Sequence, residues 1–486
     1  MVFRMKKLSN FRINKGIKAS AVYTLASFFT KGISIITIPI FTRIMSTEQI
    51  GIVTTYNSWV SILSVFACLG FTTGSFSVAM HEFKDRRNEY ESASLTLTSI
   101  ISILFALVYV LAFNKINDAL GMPWQLVVLM LIGFFIHPAT EFWMARQRFE
   151  YKYKLCATVS VLSALLSSVM AVITVLLFNS RGLSQVAIGR LYATYIVYDT
   201  VALVLYIYIM RKGKIFFDVK YWKYGITLSI PLMVHALAKH ILDVSDKIMI
   251  QNICGNSQVG IYGTLYSLSS LSLIFWTAIN VSLVPYMFSC MDDKETSYKK
   301  LNRIIIPVML IYGIIAIFMA FISPEIVRII ATKEYYEAIY MMPPVAAGIY
   351  FTSLYCIMGN VLLYHKKTKH IMVATIIAAM LNVILNYIFI NLFGYMAAAY
   401  TTLFCNIVLA IAQYYMAKKV NGDLPFDAKK LWALSIVVSI IVLSCNFFYN
   451  FDVVRYLIMG IIVFAFVIKR NYFLNIIKQI VGKDRA

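Results

Sequence analysis

Long apolar stretches alternate with short basic ones along the chain. Fourteen of them reach or approach the roughly 20 residues that an α-helix needs to cross the hydrocarbon of a bilayer. They are residues 19–41, 51–70, 93–113, 124–143, 155–178, 186–210 and 225–250, then 259–283, 304–323, 338–363, 371–392, 395–417, 431–449 and 453–468. The pattern predicts an all-α polytopic membrane protein. Residues 1–18 form a basic segment ahead of the first span, and the apolar run that follows is too long for a signal-peptide core, so it is expected to be retained. Polar segments at 211–224 and 418–430 divide the rest into helices 1–6 (19–210), helices 7–12 (225–417) and two further helices (431–470), with a basic tail at 471–486.

Composition narrows the class. Of 486 residues, 60% are hydrophobic and 14% charged, more apolar side chain than a soluble fold of this length can hide. The formal charge of +22 would suit nucleic acid, but its distribution argues against that partner. If the N-terminus is cytoplasmic, the outward loops hold only Arg43, Lys115, Arg181, Arg190, Lys247, Arg328, Lys333 and Arg455. Nearly all the remaining Lys and Arg fall in inward loops, the positive-inside pattern, with both termini in the cytoplasm. Acidic membrane lipids are then a secondary partner. The seven cysteines stand singly, with no spacing that suggests a metal or a disulfide framework. No phosphate loop, nucleophile elbow or zinc-protease motif occurs, and no loop is long enough to be a domain. An enzyme is not expected, and neither catalytic residues nor a cofactor are assigned.

The informative exceptions are charges inside spans. Residues 225–250 carry Lys239, Asp243, Asp246 and Lys247, together with Pro231, His235 and His240. A charge facing lipid at mid-bilayer costs between about 3 and more than 10 kcal/mol, so this segment should line a polar interior. Lys31 is about twelve residues from the cytoplasmic end of its helix, roughly 18 Å at 1.5 Å per residue, too deep to reach a headgroup. Either each lysine neutralises an intramembrane acid such as Asp199 or Asp243, or Lys31 and Lys239, with Arg43 nearby, present positive charge to an anionic cargo. Asp199, Asp243, Glu141, His235 and His240 are candidate carriers of a coupling proton or cation, driven by a proton or sodium gradient or by the membrane potential. Pro39 and Pro231, with Asp246 and Lys247, are expected to serve structure or gating. Tyr56, Asn57, Tyr266, Asn280, Asn382 and Asn386 could hydrogen-bond sugars, with helix packing as the alternative for each.

The chain also repeats itself. After the first span, Arg43-Ile44-Met45 precedes Gln49-Ile50-Gly51-Ile52, and after the seventh, Lys247-Ile248-Met249 precedes Gln258-Val259-Gly260-Ile261. Both copies follow a helix running outward, so they share an orientation. Such parallel repeats point to two six-helix halves related by an axis along the membrane normal.

These segments resemble a known family. PIFTRIMSTEQIGI (39–52), SIPLMVHALAKHILDVSDKIMI (229–250) and VGIYGTLYSLSSLSLIFWTAIN (259–280) are similar to the polysaccharide transporter or O-antigen flippases of the multidrug/oligosaccharidyl-lipid/polysaccharide (MOP) exporter superfamily. The likeness rests most on Pro39, Thr42, Arg43 and Gly51, then Pro231, His235, Asp246 and Gly260, and it departs at Lys247, where arginine is usual. The resemblance implies two six-helix lobes in a V, as in MATE transporters, with two added C-terminal helices. It implies alternating-access translocation of an undecaprenyl-pyrophosphate-linked glycan across a bacterial cytoplasmic (inner) membrane, for O-antigen, capsule or exopolysaccharide. A polysaccharide polymerase and chain-length proteins would be partners. The alternatives are a MATE-like ion-coupled exporter of drugs or organic cations and, further off, a membrane glycan polymerase or acyltransferase.

Overall fold

A computed structural model describes residues 2–71, 75–292 and 297–468. Among the described residues the regular elements are all helical. Thirteen helical segments among the described residues are long and apolar enough to cross a membrane. A helix satisfies every backbone polar group within itself, which hydrocarbon demands. Apart from 259–283, which is interrupted, the predicted stretches coincide with helices, and the fourteenth corresponds to a 17-residue apolar helix, Asp452–Ile468.

The chain forms two compact units, Met1–Gly260 and Ile261–Ala486. The first holds α1 (Val2–Ile44), α2 (Thr47–Ala67), α3 (Ser75–Glu82), α4 (Arg87–Leu111) and α5 (Phe113–Leu120). It continues with α6 (Trp124–Phe149), α7 (Tyr153–Ser180), α8 (Val186–Gly213), α9 (Val219–Cys254) and the start of α10 (Asn256–Ser269). The sequence divides the halves at 211–224, yet α9 is grouped with the helices before it, because it packs against α2, α3 and α4. This grouping marks what each helix touches.

Local chemistry sets the helix boundaries. Ser46 accepts a hydrogen bond from the Gln49 N–H, and the Ser46 N–H donates to Gln49 Oε1, both at 3.2 Å. This capping box explains the STEQ segment of the first repeat. Asp218 caps α9 by accepting from the N–H groups of Lys220 and Tyr221. The repeat glycines have a steric role: a Cβ on Gly51 would collide with the Asn256 carbonyl, and one on Gly260 with the Thr47 carbonyl. The Thr47 and Ser257 hydroxyls hydrogen-bond there at 2.7 Å. The two copies of the motif therefore meet each other, glycine by glycine.

Where α3, α4, α6 and α9 meet, Phe71, Phe76, Tyr90, Phe142 and Tyr221 form a buried aromatic core, with Phe76 stacked on Phe142 at 4.9 Å. Beside it Arg146 at the end of α6 donates to Glu91 of α4 (2.6 Å), Asn88 (2.7 Å) and Glu150 (3.1 Å). Desolvation acts to raise the Glu150 carboxyl, but hydrogen bonds from Lys152 and Arg146 outweigh it and hold the group below the ordinary value of 4.5.

The second unit contains the rest of α10, then α11 (Ser272–Met291), α12 (Ser297–Phe321), α13 (Ser323–Ile330) and a 3-10 helix, Lys333–Met341. It ends with α14 (Met342–Tyr364), α15 (Thr368–Phe393), α16 (Ala397–Asn421), α17 (Ala428–Phe448) and α18 (Asp452–Ile468). The predicted span 259–283 is two helices. Between them the Leu271 N–H bonds three residues back to Leu268 and the Ser270 hydroxyl bonds the Ser267 carbonyl, local partners that serine offers against a continuous helix. Helix α14 is buried along most of its length, packed by α16, α17 and α12. Asn386 donates to Asn382 Oδ1 at 3.0 Å and accepts from Thr401, so these asparagines bond helix to helix and are fully buried. Asn280 likewise accepts from Asn360 at 3.2 Å. Arg455 of α18, also fully buried, pairs with Glu325 of α13 and with Asp452 at 2.6 Å.

Candidate functional site

The first unit gathers intramembrane ionisable side chains on α1, α6, α8 and α9. Along α1, Ser27, Lys31 and Ser34 occupy one exposed face, and Leu25, Phe29 and Ile36 an exposed face on the opposite side. At 100° per residue the two stripes are about 180° apart. The hydroxyls of Thr30, Ser34 and Thr37 bond carbonyls of their own helix. No carboxylate forms an ion pair with Lys31 among the described residues.

Lys239 is differently placed. Its Nζ lies 2.5 Å from both carboxylate oxygens of Asp243, one turn along α9. The pair is about half-exposed, at 42% and 47% of the side chains, and carries no net charge when both groups are ionised. One further turn on, Asp246 and Lys247 are buried. Lys247 Nζ donates to the Asp243 carbonyl at 3.0 Å and to Asp246 Oδ1 at 3.1 Å, and its N–H donates to Asp246 Oδ1 at 2.8 Å. This arrangement needs an ammonium and no planar fork, which accommodates lysine at the position where the resemblance expects arginine. Arg43 lies in the last turn of α1 and is exposed. Pro39 lies inside α1 and Pro231 inside α9.

Asp199 of α8 pairs with a residue that the sequence reasoning passed over, His137 of α6, whose Nε2 lies 2.8 Å from Oδ1. The Tyr195 ring stacks on the imidazole at 5.9 Å and 21°, its hydroxyl donates to Asn57 Oδ1 of α2 at 3.3 Å, and Tyr56 meets its edge at 5.3 Å. One turn further along α2, Ser61 Oγ lies 2.7 Å from His240 Nδ1 of α9. Thus α6, α8, α2 and α9 are joined by polar side chains. The buried Nδ1 of His235 makes no hydrogen bond among the described residues. Glu141, one turn after His137, is exposed on the side of α6 opposite the exposed Ile132.

Proline explains the local shape of α6. Pro138 cannot donate to the Phe134 carbonyl, four residues back. The Ser102 hydroxyl of α4 takes up that acceptor at 2.8 Å, fixing the turn that carries His137. The signal that could have found His137 is the one that drew attention to Asp199: an ionisable side chain in an apolar span, here followed by proline and, four residues on, by Glu141.

A family model described as "Polysaccharide biosynthesis protein" matches residues 17–291, more than half of the chain. The chain belongs to this polysaccharide biosynthesis family. A second model, MatE, matches residues 231–388, and the two together place the family member in the MOP superfamily. It is 23% identical over 411 residues to the protein named "Probable low-salt glycan biosynthesis flippase Agl15" of Haloferax volcanii, covering 79% of this chain and 80% of that one. A solved structure of the lipid II flippase MurJ in an inward closed conformation matches with TM-score 0.69 at 17% identity, over 93% of this chain and 100% of that one. An inward-facing multidrug resistance MATE transporter matches with TM-score 0.61 at 14% identity, over 80% and 94%. At these identities the solved structures establish the fold: this family member has the helical architecture of MurJ and the MATE transporters.

Proposed function

We propose that this protein is a flippase that carries an undecaprenyl-pyrophosphate-linked oligosaccharide from the inner to the outer leaflet of a bacterial cytoplasmic membrane, by alternating access, for O-antigen, capsule or exopolysaccharide assembly. The observation that carries the proposal is Lys31: a cation deep in a span, on the polar face of a helix whose opposite face is apolar, with no paired carboxylate among the described residues. Such a charge suits a pyrophosphate, which needs compensation wherever it leaves bulk water. The polyprenyl tail needs none, because it stays in lipid throughout. The Lys239–Asp243 pair can join the same task if the phosphate displaces the carboxylate, with Arg43 at the outer end of α1. Membership of a polysaccharide biosynthesis family and similarity to a protein named as a glycan biosynthesis flippase favour glycan cargo. A polymerase on the outer leaflet would consume the product.

The second reading, export of organic cations, is favoured by the MatE match and by the exposed acid Glu141 in α6. Reconstituted protein separates the two. A fluorescent polyprenyl-pyrophosphate oligosaccharide should change leaflet at a protein-dependent rate, while a lipophilic cation such as ethidium should not be accumulated. Ethidium transport with no glycolipid movement would reverse the assignment.

A further inference from the structure

Ion coupling in a membrane carrier requires a group that changes charge at reach of water and is held by the moving body. Of the intramembrane titratable groups in the first unit, His137 and Asp199 alone form an imidazole–carboxylate pair between two helices, α6 and α8, among the described residues. Building on the transporter reading above, we propose that the His137–Asp199 pair is the proton carrier of the cycle.

Four observations carry this. The contact is direct, 2.8 Å from Nε2 to Oδ1, and the side chains keep 28% and 17% of their exposure, so the pair is mostly enclosed without being sealed. The stacked Tyr195 ring and the turn anchored by Pro138 and Ser102 hold the imidazole in place. With the carboxylate ionised and the imidazole neutral the pair carries one negative charge. One proton on the ring converts it to a neutral ion pair, removing the net charge that low dielectric penalises. Imidazole is also the side chain whose ordinary protonation falls in the physiological range.

The electrostatic surroundings are specific. From α6 itself comes Glu141, and from α8 come Tyr192, Tyr195 and Tyr198. From α2 come Tyr56 and, through Ser61, the His240 ring of α9, with Lys239 and Asp243 beyond it. Helices α4 and α7, which also pack on this region, have no acid, histidine or lysine at 95–108 and 157–180. A proton accounts for the geometry better than a metal ion would, since the imidazole already occupies one oxygen of the carboxylate.

The test uses the full chain in liposomes, with a fluorescent polyprenyl-pyrophosphate oligosaccharide and an entrapped pH dye. Wild type should speed glycolipid translocation at least fivefold when a proton gradient is imposed, with dye-reported proton flux tied to cargo. His137→Gln and Asp199→Asn should abolish both effects while gradient-free equilibration of cargo between leaflets continues. Because either variant could fold poorly, the exchanged pair His137→Asp/Asp199→His is made as well and should recover part of the gradient response. A gradient-insensitive wild type, a single variant with the wild-type gradient response, or well-folded variants that lose gradient-free equilibration would each overturn the proposal. If wild type moves no glycolipid yet still shows proton flux that depends on both residues, the cargo assignment falls and the proton carrier stands.

Discussion

Replacing Lys31 with methionine should stabilise the protein and disable it. The side chains have similar length, so packing of α1 is kept while the ammonium is lost. A lysine at the centre of a span costs about 3 kcal/mol on insertion-derived scales. Lys31 lies on the polar face shared with Ser27 and Ser34, so part of that cost is relieved by water, and a gain of about 1 kcal/mol is expected. A charge-assisted hydrogen bond to phosphate contributes roughly 1.5–3 kcal/mol, so translocation at limiting glycolipid should fall about 10- to 150-fold. Thermal unfolding in detergent measures the first effect, and leaflet exchange of a fluorescent glycolipid in liposomes measures the second. Lys31→Arg, which keeps the charge, should retain most of the rate. A methionine variant that is less stable and transports normally would show that the lysine serves the fold, and the cargo argument would fail with it.

Other outcomes follow from the same structure. Removing Arg146 alone, or Glu91 alone, should destabilise by about 3–5 kcal/mol because a buried partner is stranded, whereas the double replacement Glu91→Leu/Arg146→Met should recover most of the loss; a thermal-shift double-mutant cycle reads the coupling. Ser102→Ala leaves the Phe134 carbonyl bare beside Pro138 and should cost roughly 1–3 kcal/mol in unfolding, with Ser102→Thr largely neutral. The depressed Glu150 carboxyl adds stability that is fully present above the ordinary value of 4.5 and lost as pH falls through the lower folded value. Melting temperature should therefore drop below about pH 4.5, and Glu150→Gln should flatten part of that drop. Arg455→Leu should strand Glu325 and loosen α18 from α13, seen as faster proteolysis of the chain after α17.

The sequence by itself determined how much of this chain is helix and where the spans lie. Hydrocarbon admits few backbone solutions, and a run of apolar residues long enough to cross it can hardly be anything else. The prolines of α1 and α9 and the glycines of the two repeat copies were legible for the same reason, since each is a local rule with a short range. The interruption of the span at 259–283 was not legible. Serine tolerates both continuation and a turn, and only the surrounding packing chooses between them.

Which charges meet was decided in three dimensions. Lys239 and Asp243 are four residues apart, so their pairing could be anticipated from helical spacing. His137 and Asp199 are 62 positions apart, and nothing in either span names the other. Their meeting depends on α6 and α8 packing face to face with a particular rotation, which Pro138 and the Ser102 hydroxyl help to set. The asparagines of α15 illustrate the same limit: Asn382 and Asn386 could serve a sugar by type, but they are buried and spent on one another and on Thr401 and Thr402. Residue type fixes which interactions a side chain can make, and only its depth and its neighbours across helices fix which of them are left for a ligand.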